Sequence, residues 1–119
     1  MAGFDAWDIV KVPFPYTNRP VLQHRPALVV GWHKAAGSPV LLWVLMITRA
    51  DHRRWQGDVE ISTLASTGLP VRSIVRCAKI ATVETSEAAV IGHLPPPDRP
   101  AVRDQVAASL SRLLGTPPA

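Results

Sequence analysis

Arg25 opens the run Arg25-Pro26-Ala27-Leu28-Val29-Val30, and Thr48 stands where a second apolar run, Val40 to Ile47, gives way to polar residues. An apolar run without alternation belongs to a strand buried on both faces, so Arg25 is a cation at the rim of a rigid element. Rigidly placed charge is what a site requires, although a surface ion pair would place an arginine there as well. Thr48 is either the polar residue that ends a strand or a hydroxyl presented to a ligand. It leads into Thr48-Arg49-Ala50-Asp51-His52-Arg53-Arg54-Trp55-Gln56-Gly57, the most chemically loaded stretch of the chain. Arg76 and Lys79 lie on a later alternating stretch, and Arg76, like Arg25 and Thr48, falls near a strand end. Guanidinium groups fixed around one hollow bind phosphate, and the rings of Trp55 and Tyr16 could stack on bases, each base worth about 1–3 kcal/mol. Tyr16-Thr17-Asn18-Arg19 sits in a long polar connection beside this mouth. Together these residue types suit single-stranded nucleic acid. His24 sits one residue before Arg25, though a lone loop histidine is more often a spectator, and His52 beside Asp51 resembles an acid/base pair, though adjacent residues commonly point apart. Trp55 is equally a loop anchor or a partner contact.

Bulk properties narrow the classes. With 119 residues the chain fits a single domain, 1–119, with one modest core. The formal charge of +4 and the local cluster Arg49, Arg53, Arg54 favour an anionic partner. One cysteine, Cys77, allows no intrachain disulfide and suggests a small buried hydrophobe in a reducing cytoplasm. The four histidines never fall in metal-ligand spacing, so neither a metal nor another cofactor is expected. No targeting segment or membrane-length apolar run is evident, and no membrane partner is expected. Glycine-rich phosphate loops, paired helical carboxylates and a serine-hydrolase pattern are missing, which disfavours nucleotide hydrolases, glycosidases and serine hydrolases.

The positioning elements follow from periodicity. Asp8 to Val12 alternates as a first strand closed by Pro13, and Phe14 to His24 is a long connection. Ala27–Trp32 and Val40–Ile47 are central strands, with Trp32 and Trp43 expected in the core. Asp58–Ile61 is a short strand, and Leu64–Pro70 a connection. In Ser73–Ile80 the alternation sets Ile74, Arg76, Ala78 and Ile80 on one face and Val75, Cys77 and Lys79 on the other, unless a bulge intervenes. Val90–Leu94 is a last strand. After Pro95-Pro96-Pro97, Asp98 should cap a helix with Pro100 in its first turn. Val102, Val106, Leu110, Leu113 and Leu114 form its apolar stripe, expected in the core; Gly115 ends it, and Thr116 to Ala119 form a frayed tail. Short strands with one terminal helix predict a mainly β protein, a small, strongly bent antiparallel sheet or barrel.

Asp8-Ile9-Val10 followed by Pro13-Phe14-Pro15-Tyr16-Thr17, then Arg25-Pro26-Ala27-Leu28-Val29-Val30, Thr48 closing an apolar strand, and Val75-Arg76-Cys77 together resemble the MazF/PemK family of type II toxin–antitoxin ribonucleases. The likeness runs from about Trp7 to Leu114. It implies an SH3-like barrel of the CcdB/MazF type with a C-terminal helix. It also implies a homodimer that cleaves single-stranded RNA without a metal and is silenced by a cognate antitoxin with an acidic C-terminal segment. Arg25 and Thr48 match the catalytic pair of the MazF branch. Arg76 matches the arginine of the PemK branch's Arg-Cys-Asp motif, but Ala78 replaces its aspartate, and Trp7 stands where the family usually has glycine. Metal-free cleavage uses the ribose 2′-hydroxyl as nucleophile and leaves a cyclic phosphate. Arg25 would stabilise the phosphorane and Thr48 would hydrogen-bond a phosphate oxygen or the 2′-hydroxyl; the proton carriers stay open, with His24 and His52 as candidates and Arg76 as a further phosphate ligand. Tyr16, Thr17, Asn18, Arg19, Arg49, Arg53, Arg54, Trp55 and Lys79 would contact RNA. Two alternatives are a CcdB-like toxin that poisons gyrase by protein contact and a barrel that binds RNA without cutting it.

Overall fold

The structure, a computed structural model, describes residues 3–15, 22–34 and 36–115. Its strands are β1 (Asp8–Pro15), β2 (Leu22–His33), β3 (Leu41–Arg49), β4 (Asp58–Glu60), β5 (Ser73–Glu84) and β6 (Ala89–His93), followed by the helix α1 (Arg99–Leu113). Among the described residues the strands make an antiparallel sheet in the order β4-β5-β3-β2-β1-β6. The predicted mainly β architecture with a C-terminal helix is therefore present. No helix is long and apolar enough to cross a membrane among these residues.

The ladder does not close into a ring, because β4 and β6 end the sheet without pairing. Residues 61–70 bridge them instead. His93 N–H donates to the Ser66 carbonyl at 2.8 Å, and Ser66 Oγ donates to the His93 carbonyl at 3.2 Å. The approach is close enough that a Cβ on Gly92 would overlap the Thr67 and Ser66 carbonyls. A side chain on Gly68, at φ +72, would likewise meet the Ile91 carbonyl. These two glycines are required by contact, and Gly68 by backbone angle as well.

The sheet buries both faces. Ile9, Leu28, Leu45, Ile47, Val75, Leu94 and Val102 form one cluster beneath the helix, and Val10, Val12, Ala27, Val29, Leu42, Val44 and Met46 form the other. Continuous apolar runs in β2 and β3 follow from this two-sided burial. β5 serves both clusters, with Val75 and Cys77 in the first and Ala81 and Val83 against the second. It does so through a register shift: Leu45 faces Ile80 whereas Met46 faces Arg76. That shift breaks the expected alternation, so Ile74, Val75, Arg76 and Cys77 are all buried while Ala78 and Ile80 are exposed.

Several expectations are corrected. β1 runs through Pro13 to Pro15, and β2 starts at Leu22, so the first connection is much shorter than Phe14 to His24. β6 pairs with β1 only as far as Lys11, which leaves the later part of β1 with a single neighbour. Pro13 and Pro15, two apart, direct their missing donors to the same side, as an edge allows. Trp32 and Trp43 are half-exposed at 50% and 49%, not core. The β2 register shifts between Val29 and Gly31, and Trp43 then lies opposite Gly31, which has no side chain to cover it. Of the helical stripe Val102 is buried and Val106 partly so, whereas Leu110, Leu113 and Leu114 are exposed, Leu113 bordering an open hollow between the helix and Cys77, Ala78 and Ile80 of β5. Asp98 occupies the position before the helix but does not cap it. Its backbone is already in the helical region, and its carboxylate accepts from Ser62 N–H and Oγ at 2.9 and 3.0 Å. Gly115, at φ +76, ends the helix as expected; the tail Thr116 to Ala119 lies outside the described residues.

The polar stretch after Thr48 is fastened from below. Arg76 faces Asp58 across the β4–β5 ladder, and its guanidinium lies 3.2 Å from the Asp58 carboxylate, the two side chains being 10% and 3% exposed. The same guanidinium donates to the Arg53 carbonyl at 2.6 Å and stacks on the Trp55 ring, 4.1 Å from its centroid. Asp58 in turn accepts from the Trp55 N–H at 2.8 Å. Removing one partner of a buried pair strands the other charge.

Asp58→Ala is therefore expected to destabilise the protein by about 3–5 kcal/mol in urea unfolding. Gly92→Ala should cost at least about 2 kcal/mol through overpacking, whereas Gly31→Ala, whose added Cβ meets nothing within 4 Å, should stay within about 0.5 kcal/mol.

Candidate active site

The pairing of β2 with β3 sets Ala27 opposite Met46, and the same register continued by two residues sets Arg25 across from Thr48. The ladder stops short of that pair, so the strand ends open into a cleft of about 390 Å³ lined by Arg25, His24, Thr48, His52, Arg49 and Lys11 among others. Ile47, Leu69 and Ile91 form its apolar floor. Arg25 is half-buried on β2, where it faces Val12 of β1. Proline at position 26 lies opposite Lys11, beyond which β1 has only β2 as neighbour.

Thr48 is buried at 7% exposure and faces Ile74 of β5. Its Oγ1 lies 2.6 Å from Nδ1 of His52. A tight turn makes that contact: His52 N–H donates to the Arg49 carbonyl at 3.1 Å, and Ala50 N–H donates to the Arg72 carbonyl at 2.9 Å. The chain thus reverses just after β3 and returns the imidazole over the hydroxyl that ends the strand. A cation, a hydroxyl and an imidazole from two strands and a turn converge on one open hollow. The set can bind a phosphate, donate a hydrogen bond to it and move a proton.

Four of the residues named from the sequence as catalytic or possibly catalytic, Arg25, Thr48, His24 and His52, share this cleft; Arg76 does not line it. Arg76 is held instead by Asp58, Arg53 and Trp55. Ala78, the residue in place of the PemK-type aspartate, is exposed on the shifted part of β5, as Lys79 is in part. Arg49 borders the cleft and pairs with Asp51 at 3.2 Å. Arg54 lies 3.7 Å from Glu60, whose carboxyl is held below its usual range by its hydrogen bond to Arg72 and then by the charges of Arg72 and Arg54. Arg53 is exposed, and Trp55 is 45% exposed with Arg76 against its ring. Tyr16, Thr17, Asn18 and Arg19 lie outside the described residues. Cys77 is buried, and burial pushes its thiol up to about 11, so it is a hydrophobe rather than a nucleophile.

Sequence reasoning missed Lys11 and the floor residues from the 69–71 connection. Lys11 carried a signal, being the outward residue of an alternating strand, but its nearness to Arg25 depends on register. The Asp58–Arg76 pair was equally invisible, since its partners stand eighteen positions apart and meet only through the β4–β5 register. Among the described residues no group of three His, Cys, Asp or Glu side chains is placed to hold a metal ion.

Comparison with known proteins agrees with this architecture. An endoribonuclease from a Mycobacterial species, solved in complex with its cognate antitoxin, is similar with a TM-score of 0.66 and 15% identity over 89% of this chain and 93% of that one. The Mycobacterium tuberculosis toxin MazF-mt6 gives 0.65 and 20% identity over 87% and 96%, and MazF from Deinococcus radiodurans gives 0.64 and 22% over 94% and 96%. At such identities the likeness establishes the fold. Among proteins of curated function none matches the chain in sequence. The family model described as PemK-like, MazF-like toxin of type II toxin–antitoxin system matches residues 5–110, nearly the whole chain, and on that extent the chain belongs to this toxin family.

Proposed function

We propose that this toxin is a sequence-specific, metal-independent endoribonuclease that cleaves single-stranded RNA through the ribose 2′-hydroxyl. The observation that carries the reading is the meeting of Arg25 and Thr48, from separate strands, in one solvent-open cleft. RNA supplies its own nucleophile, so the protein must hold the phosphate, stabilise the added charge of the phosphorane and handle protons. Arg25 is suited to the first two tasks, because a guanidinium on a rigid strand needs little reorganisation as charge develops. Its permanent charge makes it unsuited to act as a base. The Thr48 hydroxyl, buried and oriented, donates to a phosphate oxygen or to the 2′-oxygen. Cleavage leaves a 2′,3′-cyclic phosphate on one fragment and a 5′-hydroxyl on the other.

Arg49 at the cleft, with the exposed Arg53 and Arg54 of the same loop, supplies phosphate contacts, and Trp55 offers a ring to a base. The protein acts as a homodimer, which the half-exposed Trp32 and Trp43 support as apolar surface that a second copy would cover. Its cognate antitoxin carries an acidic segment that competes with RNA for the basic mouth. The relatives solved with antitoxins are precedents for such a complex in their own systems.

Purified protein incubated with mixed-sequence single-stranded RNA in EDTA should give discrete fragments with 5′-hydroxyl ends. Arg25→Ala should slow cleavage by about 10²–10³-fold, the usual effect of removing one transition-state charge donor. Intact RNA would overturn the reading, with gyrase inhibition pointing to a CcdB-like toxin and retained binding to a non-cleaving barrel. Sedimentation at micromolar concentration should show a dimer, and a monomer would overturn the dimeric assignment.

A further inference from the structure

The geometry points to His52 as the general base that takes the 2′-hydroxyl proton, with Thr48 fixing its tautomer; the inference rests on the ribonuclease reading above. Of the two cleft histidines, His52 is the one joined to the site's hydroxyl, with Nδ1 at 2.6 Å from Thr48 Oγ1. Its backbone is tied into the Arg49–His52 turn, and the residue lines the same cleft as Arg25. A threonine hydroxyl has one proton to donate. When that proton goes to a phosphate oxygen, Oγ1 faces His52 as an acceptor, and Nδ1 must carry the hydrogen. Neutral imidazole then has its lone pair on Nε2. When Nε2 takes up a proton, Nδ1 still donates to Oγ1, so the Thr48 contact survives both states of the catalytic cycle.

The step balances without another reagent. The 2′-O–H bond breaks, its proton goes to Nε2 of His52, and the 2′-oxygen forms a bond to phosphorus. The P–O5′ bond then breaks, and the departing 5′-oxygen takes a proton from the water that fills the open cleft. His52 returns its proton to solvent once the products leave.

The test uses the full chain and an RNA oligonucleotide spanning one cut mapped with the wild-type protein. His52→Ala is expected to lower the cleavage rate by about 10²–10⁴-fold while binding the 2′-deoxy oligonucleotide with nearly unchanged affinity. His52→Asn should be as slow, because its amide N–H can replace Nδ1–H toward Thr48 but supplies no base. Added imidazole should restore part of the rate to His52→Ala and none to Arg25→Ala. Wild-type cleavage by His52→Ala, rescue by asparagine alone, failure of imidazole to help, or loss of binding together with cleavage would each overturn the assignment. If the wild-type protein leaves RNA intact, the ribonuclease reading fails with it; if Arg25→Ala is slow and His52→Ala is not, only the role of His52 falls.

Discussion

The buried pair of Arg76 and Asp58 is the constraint on which the rest of the molecule's working end depends. Two charges withdrawn from water cost several kcal/mol of hydration each, and their arrangement recovers that through additional bonds to the Arg53 carbonyl and the Trp55 N–H and through the indole ring. The result is a polar loop fastened to β5 beneath it, although the loop itself is largely exposed. Because the loop is held at Arg53 and Trp55, the preceding turn can return His52 to Thr48 without ordering many loose residues, each of which would cost about 1–2 kcal/mol of backbone entropy. Arg76 thus contributes to the cleft from a distance, by limiting where the loop can go.

Ala78 lies outside both this pair and the Arg25 cleft. The register shift between Leu45 and Met46 turns Ala78 outward while Arg76 stays inside. The cation in this chain instead finds its carboxylate across the ladder, on β4.

What could be read from the residues and what could not divide along physical lines. Local rules were enough for β3, β4, the connection 64–70 and the glycine stop at 115, since apolar runs and breakers act within a few residues. Arg25 and Thr48 could be singled out because each borders an apolar run, and family likeness named them as a pair. Their meeting depends on strand register, which no single segment encodes. The errors over Trp32, Trp43 and the leucines of α1 share a cause: hydrophobicity says that a side chain gains from burial, not that the fold provides a cover. One register shift leaves Trp43 opposite Gly31, and another undoes the alternation expected along β5. The Thr48–His52 contact was beyond reach for a different reason, since it requires the turn that reverses the chain at Ala50 and Asp51.

Trp7 adopts φ +76, a conformation that L-residues with bulky side chains rarely hold and that glycine enters freely. Its N–H donates to the Val29 carbonyl at 2.7 Å and its carbonyl accepts from Leu94 N–H at 2.9 Å, so the backbone on both sides fixes the angle. The indole packs against the first cluster with the guanidinium groups of Arg99 and Arg103 near its ring, at 5.9 and 5.8 Å from the centroid. A relative with glycine here would have a relaxed backbone and no such plate under its helix. This chain has exchanged torsional ease at one residue for an aromatic wedge that seats the first turns of its C-terminal helix.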